Sequence, residues 1–188
     1  MAYQYSNPAQ VAAPSIYDAV ALAVSQNALP LLPLSCIRRG LQNRTSLPAT
    51  TNEYAVLTLI NRERVGTNAR LYTQPVSNAD NGKMTEKTLW DAQFQVSFFS
   101  EQYLAEQRAE SFKTFFRGFM GATFFAQYGI GTGYCDEIIL MEVEDGGKMQ
   151  LQHAALRLHV QYWSGLQADL LFIPTISEQI GINLYPQH

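Results

Sequence analysis

The sequence predicts a small α+β protein, with a single antiparallel-rich or mixed sheet and two main helices packed on one of its faces. Two segments repeat apolar residues with a helical period, and several others alternate apolar and polar residues as strands do. Asp145-Gly146-Gly147 is a hairpin signal between two of these strands, and hairpins join antiparallel neighbours. The 188 residues are 47% hydrophobic, which suits one domain with its own core. A single domain over residues 1–188 is therefore expected.

The first helix is expected directly after a loose N-terminal arm, residues 1–14. Ser15 precedes apolar residues spaced as on one face of a helix, and Asp18 lies three positions after it, as in a capping box. The helix should end near Asn27, because the prolines from Pro30 onward cannot continue it.

Four segments after this helix are assigned from their apolar pattern. A strand is expected over residues 36–39, before a polar loop. Residues 54–60 carry apolar side chains at both odd and even positions, as in a central strand that is covered on both faces. Residues 61–70 are polar, so the strand should end or bulge there. Residues 74–87 combine turn-forming residues with few hydrophobic ones, which predicts a long mobile loop or hairpin tip.

Residues 89–99 contain the clearest alternation in the sequence. One face of this strand carries Trp90, Ala92, Phe94, Val96 and Phe98, and the other carries Asp91, Gln93, Gln95 and Ser97. The first face should belong to the core, and the second should meet water or another subunit.

The remaining elements follow from a helical stripe and from the predicted hairpin. Ser100 should cap a second helix, loosened at its end by Gly118 and Gly121. Its apolar stripe consists of Ala105, Ala109, Phe112, Phe116 and Phe119. Strands are expected over residues 136–144 and 149–163, and residues 164–188 should form a C-terminal strand and an extended tail.

Charge is scarce and unevenly distributed. Charged residues make up 15% of the chain, against about 25% in an average soluble domain, and the net charge is −3. Residues 38–70 contain six arginines and two glutamates, whereas residues 100–188 carry five more acids than bases. On strands, such a basic block is more often a solvated face or half of an intersubunit charge pair than a nucleic-acid footprint. The sequence shows no signal-peptide pattern and no apolar stretch of membrane-spanning length, so no membrane partner is expected.

No pattern in the sequence predicts a catalytic residue, a cofactor or a metal site. The glycine-rich segment 129–134 lacks the third glycine of a dinucleotide-binding loop and precedes a strand instead of a helix. His153 and His159 are expected on the polar face of one strand, roughly 20 Å apart, which is too far to share a metal ion. Cys36 and Cys135 have no neighbouring cysteine and are expected to be buried free thiols.

The order of these elements carries more information than any single motif. It comprises the N-terminal helix, residues 54–60 with their arginine-rich continuation, the alternating strand from Trp90 to Phe98, the helix with the phenylalanine stripe, the Gly129-Ile130-Gly131 turn and the final hairpin. This order resembles that of the tail terminator, or neck terminator, proteins of tailed bacteriophages, over roughly residues 15–163.

The resemblance implies a structural protein of the virion and no catalytic residues. Members of the family form homohexameric rings that end growth of the tail tube and join the tail to the head connector. The implied partners are further copies of the chain, tail tube proteins, sheath proteins in a contractile tail, head–tail connector proteins and the genome DNA that passes through the ring. Assembly would take place in the host cytoplasm, with the two ends of the chain as docking arms.

The candidate subunit-interface residues come from the basic block, the predicted loop and the polar face of the alternating strand. They are Arg62, Arg64, Arg70, Val76, Met84, Asp91, Gln93 and Gln95. The low charge fraction agrees with a subunit whose surface meets other proteins.

Two other functions remain open from the sequence. The chain could be a different neck or tail component, such as a head–tail connector or a stopper. It could also be a small-molecule-binding or hydrolytic α+β domain with a cavity lined by Phe112, Phe116, Phe124 and Phe125.

Overall fold

The computed structural model describes residues 9–11, 15–40, 53–73, 82–101, 103–145 and 149–170. In chain order they form β1 (Ala9–Val11), α1 (Ile16–Asn27), β2 (Ile37–Arg39), β3 (Tyr54–Thr73), β4 (Gly82–Ser100), α2 (Leu104–Arg117), α3 (Phe119–Ala126), β5 (Ile130–Cys135), β6 (Ile139–Asp145) and β7 (Met149–Leu170). A short 3₁₀ turn, Leu34–Cys36, precedes β2.

One mixed sheet contains the seven strands of the described residues. The strand order is β1-β7-β4-β3-β2, and β5 and β6 also pair with β7. β2 pairs with β3 in parallel, whereas β1, β5 and β6 are all antiparallel to β7. The predicted α+β class with an antiparallel-rich, mixed sheet is confirmed.

The chain divides into two compact units. The larger consists of Ala13–Thr67 and Thr88–Ser164, and it contains the helices that the structure describes. The smaller consists of Met1–Ala12, Asn68–Lys87 and Gly165–His188. In the smaller unit β1, which lies in the predicted N-terminal arm, pairs with β7 through Ala9 opposite Gln167.

The core of the larger unit lies between the sheet and the helices. Ala92, Phe94, Val96 and Phe98 are all buried, so the predicted alternation in β4 is confirmed. The Tyr17 ring of α1 lies edge-on to Phe94 at 5.0 Å, and Phe112 of α2 contacts Phe98 at 6.4 Å between ring centroids. Because Phe94 and Phe98 point to the same side of β4, both helices pack on one face of the sheet, as predicted.

The second predicted helix is wrong at its start and is divided in two. Ser100 is the last, buried residue of β4, and α2 begins only at Leu104, after Tyr103 in a left-handed conformation with φ of 60°. The strand therefore continues further than the apolar pattern suggested, and the chain turns before the helix starts. Gly118 separates α2 from α3, which pack so closely that a Cβ on Gly121 would clash with the backbone of Phe115 and Phe116.

The predicted end of β3 is also wrong. The polar segment 61–70 continues as strand to Thr73, because backbone pairing in a sheet does not require apolar side chains. β4 begins at Gly82, so residues 82–87 of the predicted loop are strand. Residues 74–81, including Val76, and the predicted loop over 43–52 lie outside the described residues.

The C-terminal half of the sheet is assembled on β7. The strand predicted over residues 136–144 is Ile139–Asp145, which is β6, and the glycine-rich segment before it forms β5. Gly129 has a φ of +68° in the turn that enters β5, which a residue with a Cβ adopts only with strain. β7 extends to Leu170, so the first residues of the predicted C-terminal strand continue β7; residues 171–188 lie outside the described part.

Candidate assembly surfaces

Arg62, a predicted interface residue, contacts two aromatic rings of its own chain. Its guanidinium carbon lies 3.9 Å from the centre of the Trp90 ring and 5.3 Å from that of Tyr162. The Trp90 Nε1–H donates a hydrogen bond to Ser164 Oγ at 2.8 Å, which fixes the ring. Burial raises the pKa of the Tyr162 hydroxyl. Arg62 therefore covers two aromatic rings by cation–π contact instead of pointing freely into solvent.

Arg64 and Arg70 differ in their surroundings. Arg64 is exposed on β3 and forms no ion pair with any residue that the structure describes. In the smaller unit, Arg70 Nε lies 3.6 Å from Glu86 Oε1, and the same carboxylate oxygen accepts a hydrogen bond from Asn68 Nδ2 at 3.0 Å. Met84 is half-buried on β4 in this unit. Of these two arginines, Arg70 is paired with a carboxylate of its own chain, whereas the guanidinium of Arg64 can form an ion pair with another molecule.

The polar face of β4 is tied to the C-terminal strands of the same chain. Asp91 Oδ1 lies 3.4 Å from His159 Nδ1, and Gln93 Nε2 lies 3.3 Å from His159 Nε2. The Tyr134 ring stacks on His159 at 3.9 Å. Gln95 Nε2 donates a hydrogen bond to Ser97 Oγ at 3.0 Å. These polar side chains of β4 are half-buried, and Ser97 is buried, so much of this predicted wet face is already satisfied within the protomer.

His153 is buried, which corrects its prediction as a histidine on a polar face. Its ring stacks on Phe99 at 4.4 Å, and Phe99 stacks in turn on Tyr54 at 4.6 Å. The three rings come from β7, β4 and β3 and cover one another, which the sequence pattern of β7 alone could not show. Burial lowers the pKa of His153, and its Nε2 is buried without a hydrogen-bond partner among the described residues.

Arg108 is a structural residue that the sequence analysis missed. It lies on the core-facing side of α2 with 3% of its side chain exposed, and its Nη2 is 2.6 Å from Glu53 Oε2. Its Nε–H donates to the carbonyl oxygen of Pro30 at 2.9 Å. One turn later, Ser111 Oγ accepts a hydrogen bond from the Leu29 N–H at 2.7 Å. These bonds fix α2 against the segment after α1, and a charged residue within an apolar helical stripe is the signal that could have found them.

A mostly apolar groove lies between α1 and β2 and has a volume of about 380 Å³. This α1–β2 groove is lined by Tyr17, Asp18, Ala21, Leu22, Leu34, Ile37, Arg38, Arg39 and Leu57. Arg39 Nη2 forms an ion pair with Asp18 Oδ1 at 2.6 Å. Hydrogen bonds from Ser15 and then from Arg39 lower the pKa of the Asp18 carboxyl.

The opposite end of the sheet carries a strand with exposed apolar side chains on both faces. Ile139, Leu140 and Met141 of β6 are each about half exposed, at 48%, 47% and 46%, and Glu142 follows them. These four residues are referred to as the β6 edge. In the described part of the chain, β6 pairs with β7 alone.

Acidic residues accompany the β6 edge on the helical side. A polar groove of about 440 Å³ lies between α2 and the start of β6. Its lining includes Glu106, Glu110, Glu137 and Leu140. Lys113 Nζ lies 2.5 Å from Glu137 Oε2, and its hydrogen bond lowers the pKa of that carboxyl. Glu106 and Glu110 form no ion pair with a described residue. With Glu142, four carboxylates outnumber Lys113 and Arg117 on this surface, so it is acidic overall. The α1–β2 groove holds two arginines against Asp18 and is basic overall.

A family model described as phage neck terminator protein matches residues 15–184. The chain belongs to this family. The match covers nine-tenths of the sequence, from α1 past the end of β7, and it confirms the resemblance predicted from the order of elements. No curated protein matches the sequence. As a phage neck terminator protein, the chain is a structural component of the virion tail and associates with other tail and neck proteins.

The interior of this neck terminator offers no support for the small-molecule hypothesis. Phe112, Phe116 and Phe125 are fully buried, and Phe116 and Phe125 pack edge-on at 5.6 Å between ring centroids. These rings fill the core instead of lining a cavity. Within the described ranges, no three histidine, cysteine, aspartate or glutamate residues cluster as metal ligands would. No helix in those ranges has the length and apolar character needed to cross a membrane.

Proposed function

We propose that this neck terminator protein assembles into a homohexameric ring that caps the tail tube and joins it to the head connector while genome DNA passes through its lumen. The observation that carries the proposal is the family match over residues 15–184. Assembly would take place in the host cytoplasm, with the tail tube, connector proteins and, in a contractile tail, the sheath as neighbours.

The distribution of exposed hydrophobic residues supports an assembled state. Among the described residues, seventeen large hydrophobic side chains are exposed. Single exposed hydrophobic residues are normal in any protein, but several of these lie in runs. The runs are Leu29 with Leu31 and Leu34, Phe119 with Met120, and Ile139 to Met141. Neighbouring subunits in a ring or particle would remove such runs from water.

The mass of the purified protein tests the ring directly. Six copies of the 21.1 kDa chain have a mass of about 127 kDa, which size-exclusion chromatography with light scattering distinguishes from a monomer. We expect this species at high protein concentration or in the presence of isolated tail tubes, and electron micrographs should show it at the head-proximal end of the tube. A ring found instead between the head connector and another neck component would identify a stopper or connector and would contradict the proposal.

The charge of the ring should let DNA pass without tight binding. Each phosphate neutralised by Lys or Arg adds salt-dependent affinity for DNA, whereas six copies with a net charge of −3 give a ring with a charge of about −18. We therefore expect a neutral or negative lumen and weak DNA binding. Tight binding that falls steeply with salt, measured by fluorescence anisotropy on duplex DNA, would contradict this part of the proposal.

Arg64 is the predicted interface residue whose charge is best placed to contact an acidic surface of another copy. Arg62 is committed to Trp90 and Tyr162, although it remains exposed. We expect Arg62→Glu with Arg64→Glu to slow or weaken ring formation while the protomer stays folded, because charges at a rim set register and encounter rate. The control Arg62→Lys with Arg64→Lys keeps both charges and should form rings at nearly the wild-type rate. Normal ring formation by the glutamate variant would exclude these arginines from the interface.

The segment between β3 and β4 is proposed to contact another protein of the particle. Val76 lies in this segment and Met84 follows it at the start of β4, and both are isolated hydrophobic residues in a polar stretch. Replacing residues 75–80 by a short turn should leave a folded protomer that no longer enters particles. The measurement is the amount of protein that co-sediments with completed virions. Normal incorporation of the shortened chain would contradict this role.

A further inference from the structure

We propose that the ring is closed by docking the β6 edge of one copy into the α1–β2 groove of the next copy, an inference that rests on the ring proposed above. The two surfaces belong to the same compact unit of the chain. Neither was among the interface residues predicted from the sequence.

The β6 edge has the properties of a strand that needs a neighbour. Leu140 pairs with Ala154 of β7 and lines the acidic groove beside α2, while Met141 pairs with the buried His153 and points to the opposite face. Apolar side chains are therefore exposed on both faces of one outer strand. Proteins usually protect such edges with charges, prolines or covering loops, because an exposed apolar edge promotes association.

The α1–β2 groove provides a matching apolar recess. Leu22, Leu34 and Ile37 line it, and Leu34 is 51% exposed at its rim. Ile139 and Met141, which share one face of the β6 edge, would replace water in a recess of about 380 Å³. Removal of this apolar surface from water would drive the association.

The charges of the two surfaces are complementary. Arg38 lines the groove and forms no ion pair with a described residue. The surface beside the β6 edge contributes Glu106, Glu110 and Glu142, none of which forms an ion pair with a described residue. A carboxylate of the next copy would satisfy the Arg38 guanidinium, whereas two copies of the same surface would bring like charges together.

The sheet order explains why this contact would produce a ring. β6 pairs with β7 on one side of the sheet, and β2 is the last strand on the other side, beyond β4 and β3. A contact between these two sides joins different surfaces of identical chains. Such a heterologous contact repeats from copy to copy and closes when the rotation between copies is right. A second copy is therefore the occupant that both the charges and the topology favour.

Two variants that each destroy one surface test the contact. Met141→Glu disrupts the β6 edge, and Leu34→Glu disrupts the groove; each should abolish rings and leave a monomer. Mixed in equal amounts, they should form a dimer and nothing larger, because each pair has one intact β6 edge facing one intact groove. The two altered surfaces carry the same charge and cannot rescue each other. Light scattering measures the masses of the separate and mixed variants.

Matched controls separate the contact from general effects of a new glutamate. Tyr103→Glu before α2 and Leu166→Glu on β7 change exposed side chains outside both surfaces and outside the apolar runs described above, and they should leave rings intact. Circular dichroism should show wild-type secondary structure in all four variants. If Met141→Glu unfolds, Ile139→Glu alters the same face of the same edge and replaces it in the test.

The possible results distinguish this contact from the ring itself. Full rings from either Met141→Glu or Leu34→Glu would overturn the docking mode and leave the ring in place. A mixture that stays monomeric, or a single variant that dimerises with itself, would overturn the head-to-tail contact. A wild-type chain that remains monomeric at every concentration, alone and with isolated tail tubes, would overturn the ring and the contact together.

Discussion

Two consecutive parts of β3 have the same backbone structure and very different surroundings. The first part contains buried residues, Ala55 and Leu57 in the core and Tyr54 stacked on the Phe99 ring, whereas residues 60–67 are exposed throughout. Both parts are strand, because the backbone hydrogen bonds of a sheet form without regard to the polarity of the side chains. Burial differs because a covering layer of helices and rings lies over the first part alone. Stability should therefore be concentrated in the covered part, and the exposed part is available for other contacts.

The largest expected effect comes from emptying the covered core. Phe112→Ala should lower the free energy of unfolding by about 3–5 kcal/mol, because it leaves a cavity between α2 and Phe98. Phe119→Ala is the matched control, because it also removes a phenyl ring, but from a side chain that is 85% exposed. It should change the free energy of unfolding by less than about 0.5 kcal/mol. Urea denaturation at one fixed protein concentration compares them. Equal effects would mean that the helical layer does not dominate stability.

The next largest effect is expected at the buried arginine that holds α2. Arg108→Met should cost about 2–3 kcal/mol, because the Glu53 carboxylate and the Pro30 carbonyl each lose a buried bond to the guanidinium, while Glu53 retains some contact with water. Arg64→Met changes an exposed arginine on the uncovered part of β3 and should change stability by about 0.5 kcal/mol or less. Thermal unfolding of both variants provides the comparison. A small loss for Arg108→Met would show that this ion pair contributes little net stability.

A smaller effect is expected from Arg62, in the exposed part of β3. Arg62→Leu should cost about 0.5–1 kcal/mol through loss of the cation–π contact with Trp90. Because the indole loses a charge 3.9 Å from its ring centre, the fluorescence of the folded protein should also shift. Arg64→Leu is the matched control and should leave the emission spectrum unchanged. An unchanged spectrum in Arg62→Leu would place the guanidinium away from the ring in solution.

The smallest effect concerns the pH dependence of the covered part. Burial lowers the pKa of His153 below its ordinary value of 6.5, so the unfolded chain binds more protons than the folded one just below that pH. Above pH 6.5 the histidine is neutral in both states, and its contribution to stability is fully present. As the pH falls below 6.5 the unfolded chain is protonated first, and the contribution is lost progressively down to the lower pKa of the folded state. His153→Phe should flatten the decline in stability between pH 7 and pH 5. An unchanged decline would show that His153 does not contribute to it.

The sequence predicted the covered part of the fold better than the exposed part. The burial of alternate residues from Ala92 to Phe98 and the end of α1 at Asn27 are confirmed. Where one face of an element is buried, apolar residues repeat with the period of that element, and this repeat is visible in the sequence. The polar continuation of β3 is exposed and has no apolar repeat, so the sequence analysis did not predict it as strand. Arg108 was missed because a charged residue is not expected at a buried position. Its partners Glu53 and Pro30 are also more than fifty residues away in sequence, so no local pattern links them to it.

By itself the sequence determined the α+β class, the family and the lack of any motif for catalysis. These depend on local composition, period and the order of elements, all of which are properties of the chain. Only the tertiary structure decided which charges are available and where the edges of the sheet lie. Arg62 is engaged by Trp90 and Tyr162, while the β6 edge and the α1–β2 groove are exposed on opposite sides of one sheet. The physical reason is that strand neighbours distant in sequence set these contacts, and hydrophobic periodicity carries no information about which strands become neighbours.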